Sequence, residues 1–188
     1  MRLAVLASGS GAIFEAIATR TPVSLLLADR DCRALTIARE RGIKAVHVRR
    51  QSLRDPAFDR TAYTRAIVGV LRRKRIDLVA MAGFMTILDP CLHEALPGRV
   101  LNTHAALLPA FPGPHPVRDA LASGVAVSGC TVHIATADVD AGPILAQEDA
   151  PVFADDTEEV LHERIKAIER RLYPEVIAAF AASLRTSN

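Results

Sequence analysis

Two short, mostly apolar runs open the chain, Leu3 to Ala7, which is unbroken, and Val23 to Ala28, which only Ser24 interrupts. Runs of that length without polar alternation predict strands buried on both faces, as in a parallel sheet. Between them, Ile13 to Thr19 carries apolar residues at helical spacing, and Arg33 to Arg41 reads as a second helix closed by Gly42. Ala45 to Val48 predicts a third, shorter strand, Thr61 to Arg73 a long amphipathic helix, and Leu78 to Met81 a fourth strand. A loop from Ala82 to Pro90 enters a short helix. A fifth strand follows over Val100 to Thr103, then a small helix over Val117 to Ala122 that Gly124 ends. Gly129 to Ala135 and Ile144 to Ala150 read as further strands. Thr157 to Leu184 has a helical pattern that Pro174 is expected to kink or break.

Strands alternating with helices through the first half predict an α/β fold, an open, mostly parallel twisted sheet with helices on both faces. Nothing repeats and no low-complexity linker divides the chain. The expectation is one domain over residues 1–188, with an N-terminal half of about 1–100 and a C-terminal half of about 101–188.

Composition narrows the function. With 23 Lys and Arg against 21 Asp and Glu, the chain lacks the basic excess of a nucleic-acid surface. Aromatics make up only 4%, with no Trp, which argues against base-stacking platforms. The basic run Arg72-Arg-Lys-Arg75 reads as the solvated end of a helix, complementing its dipole. No apolar stretch is long enough for a membrane span, and no signal peptide is visible. Three widely spaced cysteines, Cys32, Cys91 and Cys130, suit free thiols in a reducing cytoplasm. Cys130 and His133 stand three apart in a predicted strand, hence on opposite faces, so no metal is expected there.

The chain is organised around Arg99-Val-Leu-Asn-Thr-His-Ala-Ala-Leu-Leu-Pro-Ala-Phe-Pro-Gly113. Asn102 and His104 alternate at a strand end, so both side chains leave the same face. Pro109, Pro112 and Gly113 then force a stiff loop whose base Leu107 and Leu108 pin. An amide can donate to a developing oxyanion, and an imidazole can donate or shuttle a proton, which together suggest acyl transfer. A polar strand end capped by side-chain hydrogen bonds is the alternative. In open sheets ligands bind beyond the carboxyl ends of the strands. The turn Ser8-Gly-Ser-Gly11, the stretch Gly83 to Leu88 and the loop Asp138-Val-Asp140-Ala-Gly-Pro143 should gather there. The glycine turn suits a phosphate at a helix N-terminus. A dinucleotide site is a weaker reading: Asp29 stands where a ribose-binding acid would, but Phe14 occupies the third glycine position. A turn without any ligand is also possible. Asp140 could hold the charge of His104 if folding brings them together.

These motifs in this order, Asn102-Thr-His104, Leu107-Leu-Pro109, Phe111-Pro-Gly113 and Asp140-Ala-Gly-Pro143, resemble the folate-dependent formyltransferases. The resemblance runs from Leu6-Ala-Ser-Gly-Ser-Gly11 through Met81-Ala-Gly-Phe-Met85 to Glu169 and Tyr173-Pro174. It implies transfer of a formyl group from the co-substrate 10-formyltetrahydrofolate to the primary amine of glycinamide ribonucleotide in purine biosynthesis. Asn102, His104 and Asp140 would then be catalytic, with no metal. Gly9, Ser10, Gly11, Ala12 and Ile13 would hold the nucleotide phosphate, and Glu169 would contact the nucleotide. Arg60, Met85, Thr86, Ile87 and Leu88, with Asn102 and Asp140, would meet the folate. The partners are small molecules, with neither nucleic acid nor membrane, and the chain would be a monomer or homodimer.

The sequence also departs from the family pattern. Ala12-Ile13 stand where Ser-Asn is usual, Ala105-Ala106 where Pro-Ser is usual, and Thr86 where some relatives have arginine. Backbone N–H groups would still hold a phosphate, so the first change bears on nucleotide affinity or identity. Two alternatives follow: a sister formyltransferase acting on another amine, such as an amino sugar nucleotide, or a non-catalytic nucleotide-binding module.

Overall fold

Strand β1 (Leu3–Ala7) buries all five of its residues completely. Leu3, Val5 and Ala7 turn to one face of the sheet, and Ala4 and Leu6 to the other. That two-sided burial is why the sequence shows no alternation there. The computed structural model describes residues 1–186. After β1 come α1 (Ala12–Arg20), β2 (Val23–Ala28), α2 (Arg33–Glu40), β3 (Ala45–His47), α3 (Arg60–Arg73), β4 (Leu78–Met81) and α4 (Cys91–Ala95). The second half adds β5 (Val100–His104), α5 (Pro116–Ser123), β6 (Val127–Ile134), β7 (Ile144–Pro151) and α6 (Glu158–Thr186).

The strands form one sheet in the order β3-β2-β1-β4-β5-β6-β7. The first five pair in parallel; β6 and β7 join antiparallel at one edge. Helices α1, α2 and α6 cover one face, where Phe14, Ile17, Ala38 and Ile177 meet Val5, Leu26 and Leu101. Helices α3 and α4 cover the other, packing Ile67, Leu71 and Leu92 on Leu6, Leu27 and Val100. The mostly parallel open sheet with helices on both faces is therefore as the sequence predicts. Arg72, Arg73 and Arg75 are exposed at the end of α3.

Of the kink or break expected at Pro174, the break is corrected: α6 continues through it to Thr186. Proline removes one helical N–H donor, but the residues around it are anchored. Tyr173 and Ile177 are fully buried and Ala181 nearly so. The Tyr173 hydroxyl also donates to the Leu101 carbonyl at 2.8 Å. Tertiary packing outweighs the local defect.

Candidate active site

On β5, Asn102 and His104 turn to one face, while Thr103 between them reaches α6 and donates to Glu169 Oε1 at 2.5 Å. The antiparallel register with β6 sets Asn102 opposite His133 and His104 opposite Thr131. Thr131 and Gln147 tie down the loop that leaves β5. The Thr131 hydroxyl donates to the Ala106 carbonyl at 2.6 Å and accepts the Leu108 N–H at 3.0 Å. Gln147 donates to the Leu108 carbonyl at 2.8 Å. Leu108 is buried, pinning the loop base as its sequence predicts.

Asp140 arrives from the β6–β7 connection. Its φ of 55° lies in the left-handed region, which aspartate tolerates better than most residues. Gly142 presses against the Ile134 carbonyl so closely that any Cβ would overlap it. This folding-back puts Asp140 Oδ2 3.4 Å from His104 Nδ1 and Oδ1 3.7 Å from His133 Nε2. Asp140 Oδ2 also accepts the Gly113 N–H at 2.9 Å. The carboxylate thus bridges β5, β6 and the loop after β5, and its side chain is only 7% exposed.

On its other side, His104 Nε2 donates to the Phe111 carbonyl at 2.7 Å. His133 is buried, and burial lowers its pKa despite its hydrogen bond to the Ile134 carbonyl and the nearby Asp140 charge. With Nδ1–H given to that carbonyl at 3.2 Å, Nε2 keeps a lone pair for Asn102 Nδ2 at 3.4 Å. An amide has two N–H bonds, so one can serve His133 and the other the cavity.

These residues line a cavity of about 740 Å³, a size suited to small-molecule ligands. The turn Gly9 to Ile13 lines it at the N-terminus of α1, where unpaired N–H groups and the helix dipole favour an anion. Gly11 has φ 77°, and a Cβ there would come within 2.9 Å of Ala34 Cα. A tight turn of that shape requires glycine. Segment 83–88 and the α6 residues Lys166, Glu169 and Arg170 complete the wall. Burial pushes the Glu169 carboxyl up, against the hydrogen bond from Thr103. Asp29 is not offered to a ribose: it is fully buried and its carboxylate is taken by Thr86 and Arg50. Among the described residues, no His, Cys, Asp and Glu group is arranged to hold a metal, and no helix could cross a membrane. Cys130 and His133 do fall on opposite faces, Cys130 packing toward α5 and α6.

Residues 1–177 match the formyl transferase family. The chain belongs to this family. Phosphoribosylglycinamide formyltransferase of Mycobacterium tuberculosis is 47% identical over 186 residues, spanning 96% of this chain and 85% of the relative. The Bacillus subtilis enzyme of the same name is 36% identical over 94% of this chain and 92% of its own. A solved glycinamide ribonucleotide transformylase from Symbiobacterium toebii superposes with a TM-score of 0.88 at 44% identity, over 97% of this chain and 88% of the other.

In this formyltransferase the structure brings Asn102, His104 and Asp140 together, with Gly9 to Ile13, Met85 to Leu88 and Glu169 around the same cavity. Arg60 is not among them. It is the exposed first residue of α3, outside the cavity wall. Met85 and Ile87 are exposed at the cavity lip, whereas the Thr86 side chain turns inward to Asp29. Ile13 packs partly against the core behind the turn. His133 joins the site although the sequence pointed to it only as a rejected metal partner of Cys130. Only the β5–β6 register, which places it opposite Asn102, could have signalled it.

Proposed function

We propose that this formyltransferase performs the reaction its relatives are named for, moving a formyl group from 10-formyltetrahydrofolate to the amine of glycinamide ribonucleotide. The observation that carries this reading is the meeting of Asn102, His104 and Asp140 on one cavity wall. The N-terminal half contributes the anion-binding turn and the segment Met85 to Leu88 for the folate. The C-terminal half contributes the reacting groups and Glu169 for the nucleotide.

As the substrate amine attacks the formyl carbon, the carbonyl electrons move onto the formyl oxygen. Asn102 and protonated His104 donate to that oxygen, each donor contributing a few kcal/mol, about 3, to the barrier reduction. Asp140 steadies the imidazolium and takes part in moving the amine proton to the departing folate nitrogen. The bond from that nitrogen to the formyl carbon then breaks, giving the formylated amine and tetrahydrofolate. In the structure both His104 nitrogens face protein partners, so the formyl oxygen takes the place of the Phe111 carbonyl at Nε2. Soluble substrates and three free thiols fit a cytoplasmic setting.

Purified protein mixed with both substrates should release tetrahydrofolate and formylated glycinamide ribonucleotide. Absence of release with fresh substrates would overturn this reading. Release only with another amine, such as an amino sugar nucleotide, would move the chain to a sister activity.

A further inference from the structure

Asp29 closes β2 with a carboxylate that has no exposure to solvent. Its Oδ2 accepts the Thr86 hydroxyl at 2.8 Å and Arg50 Nε at 2.9 Å, and Arg50 Nε lies 2.7 Å from Thr86 Oγ1. Arg30 Nε approaches the other oxygen at 3.4 Å. The Ser8 hydroxyl also bonds to Asp29, and Ser8 Oγ accepts the Met85 N–H at 3.0 Å. Arg50 is held in turn: its N–H donates to the Asp29 carbonyl at 3.2 Å and its Nη1 to the Gln51 carbonyl at 3.0 Å. One buried acid therefore joins the ends of β1 and β2, the segment after β3, and residues 85–86.

The lip at 85–88 is held by the Met85 N–H bond to Ser8, by Leu88 packing on the core, and between them by Thr86. It is neither helix nor strand, and Met85 and Ile87 are 64% and 53% exposed. Thr86, only 3% exposed, is its inward anchor. Neither Asp29 nor Arg50 lines the cavity, so both act on a ligand through residues that do, Thr86 and, for Asp29, Ser8. We infer that Asp29 and Arg50 are positioning residues for formyl-folate binding, setting the Met85–Leu88 lip through Thr86. This rests on the assignment of that lip to the folate in the proposed function. A charge pair buried on this scale is costly to break, because the remaining partner is left without its counter-charge. The pair is therefore suited to holding one loop conformation.

The test uses the full chain with Arg50→Met and Thr86→Val, and measures both Michaelis constants, kcat and melting temperature. KM for 10-formyltetrahydrofolate should rise at least ~5-fold, with KM for glycinamide ribonucleotide within ~2-fold and kcat of Arg50→Met within ~3-fold of wild type. Arg50→Lys should recover part of the loss. The double variant should be no worse than the poorer single, since both act through one network. A purely structural role would lower melting temperature without splitting the two Michaelis constants, and that result, or equal rises in both, overturns the inference. If Arg50→Met does not fold, Thr86→Val, which preserves side-chain volume, decides alone. Wild-type protein that neither turns over nor binds a folate analogue would overturn the functional reading and this inference with it. Turnover by wild type with unchanged variants would overturn only the inference.

Discussion

Asp140 Oδ2 lies 3.4 Å from Nδ1 of His104, although one residue sits in the β6–β7 connection and the other ends β5. Asp140→Asn keeps an oxygen for the Gly113 N–H but removes the charge that faces the imidazole. Its kcat should fall by about 10²-fold or more, in the range for loss of a proton-handling group. His104→Ala should do the same, with far-UV circular dichroism unchanged. A rate near wild type in either variant, measured as tetrahydrofolate release, would remove that residue from the mechanism.

His133 touches the same acid from the neighbouring strand and accepts from Asn102 at 3.4 Å. Losing that acceptor should let the Asn102 amide rotate away from the position where it meets the formyl oxygen. His133→Leu should therefore lose about tenfold in kcat, equivalent to roughly 1.4 kcal/mol. His133→Gln, which can still accept, should recover most of it. Equal activity in the Leu and Gln variants would show that Asn102 needs no support from this side.

Much of this was legible in the chain before folding. The unbroken run Leu3 to Ala7 announces a strand buried on both faces, and alternation puts Asn102 and His104 on one side of β5. Asp140 was legible as a candidate, both as a loop carboxylate able to hold the His104 charge and by resemblance, but its approach was not. The distance depends on a glycine turn that brings the β6–β7 connection against Ile134. His133 was hidden because strand register is a long-range property, set by which residue of β6 meets Asn102. Pro174 misled because local propensity carries no information about the burial of Tyr173 and Ile177. The Asp29–Arg50–Thr86 network was illegible for the same reason, joining residues far apart in the chain.

Acid should weaken this protein before its carboxylates protonate. His93, His133 and His162 all have pKa values lowered by burial. In the unfolded chain they bind protons near the ordinary imidazole value of 6.5, whereas the folded chain resists them. The unfolded state therefore gains protons first as pH falls, and stability present above that value is lost through and below it. Glu169, raised by burial, acts in the opposite direction, but as one group against three. Denaturant midpoints should fall between about pH 7.5 and pH 5.5, with a shallower slope in His93→Gln and His162→Gln combined. An unaltered slope in that double variant would assign the acid sensitivity elsewhere.

Gly142 tests whether loop shape, rather than the identity of Asp140, sets the reaction geometry. A methyl group there overlaps the Ile134 carbonyl, so the 136–143 connection must shift. Gly142→Ala leaves every polar group in place, yet kcat should fall at least ~10-fold as Asp140 withdraws from His104. Stability should drop by about 1–3 kcal/mol, as for other overpacked sites. Full activity at reduced stability would mean that Asp140 tolerates displacement.

Tyr173 fixes α6 to the strand that carries the chemistry. Its hydroxyl is fully buried and donates to the carbonyl of Leu101, the residue before Asn102. Tyr173→Phe preserves ring packing and removes this one hydrogen bond between α6 and β5, at a cost of about 1 kcal/mol. For a chain of this size each kcal/mol lowers the melting temperature by roughly 2–4 °C. Pro174→Ala supplies the comparison: it restores a helical N–H donor and creates no buried orphan, so its melting temperature should not fall. If Tyr173→Phe melts with the wild type, the hydroxyl contributes nothing and α6 is held through Pro174 by apolar packing alone. If Pro174→Ala melts well below wild type, the ring itself supports the helix, and the account given for its continuity fails.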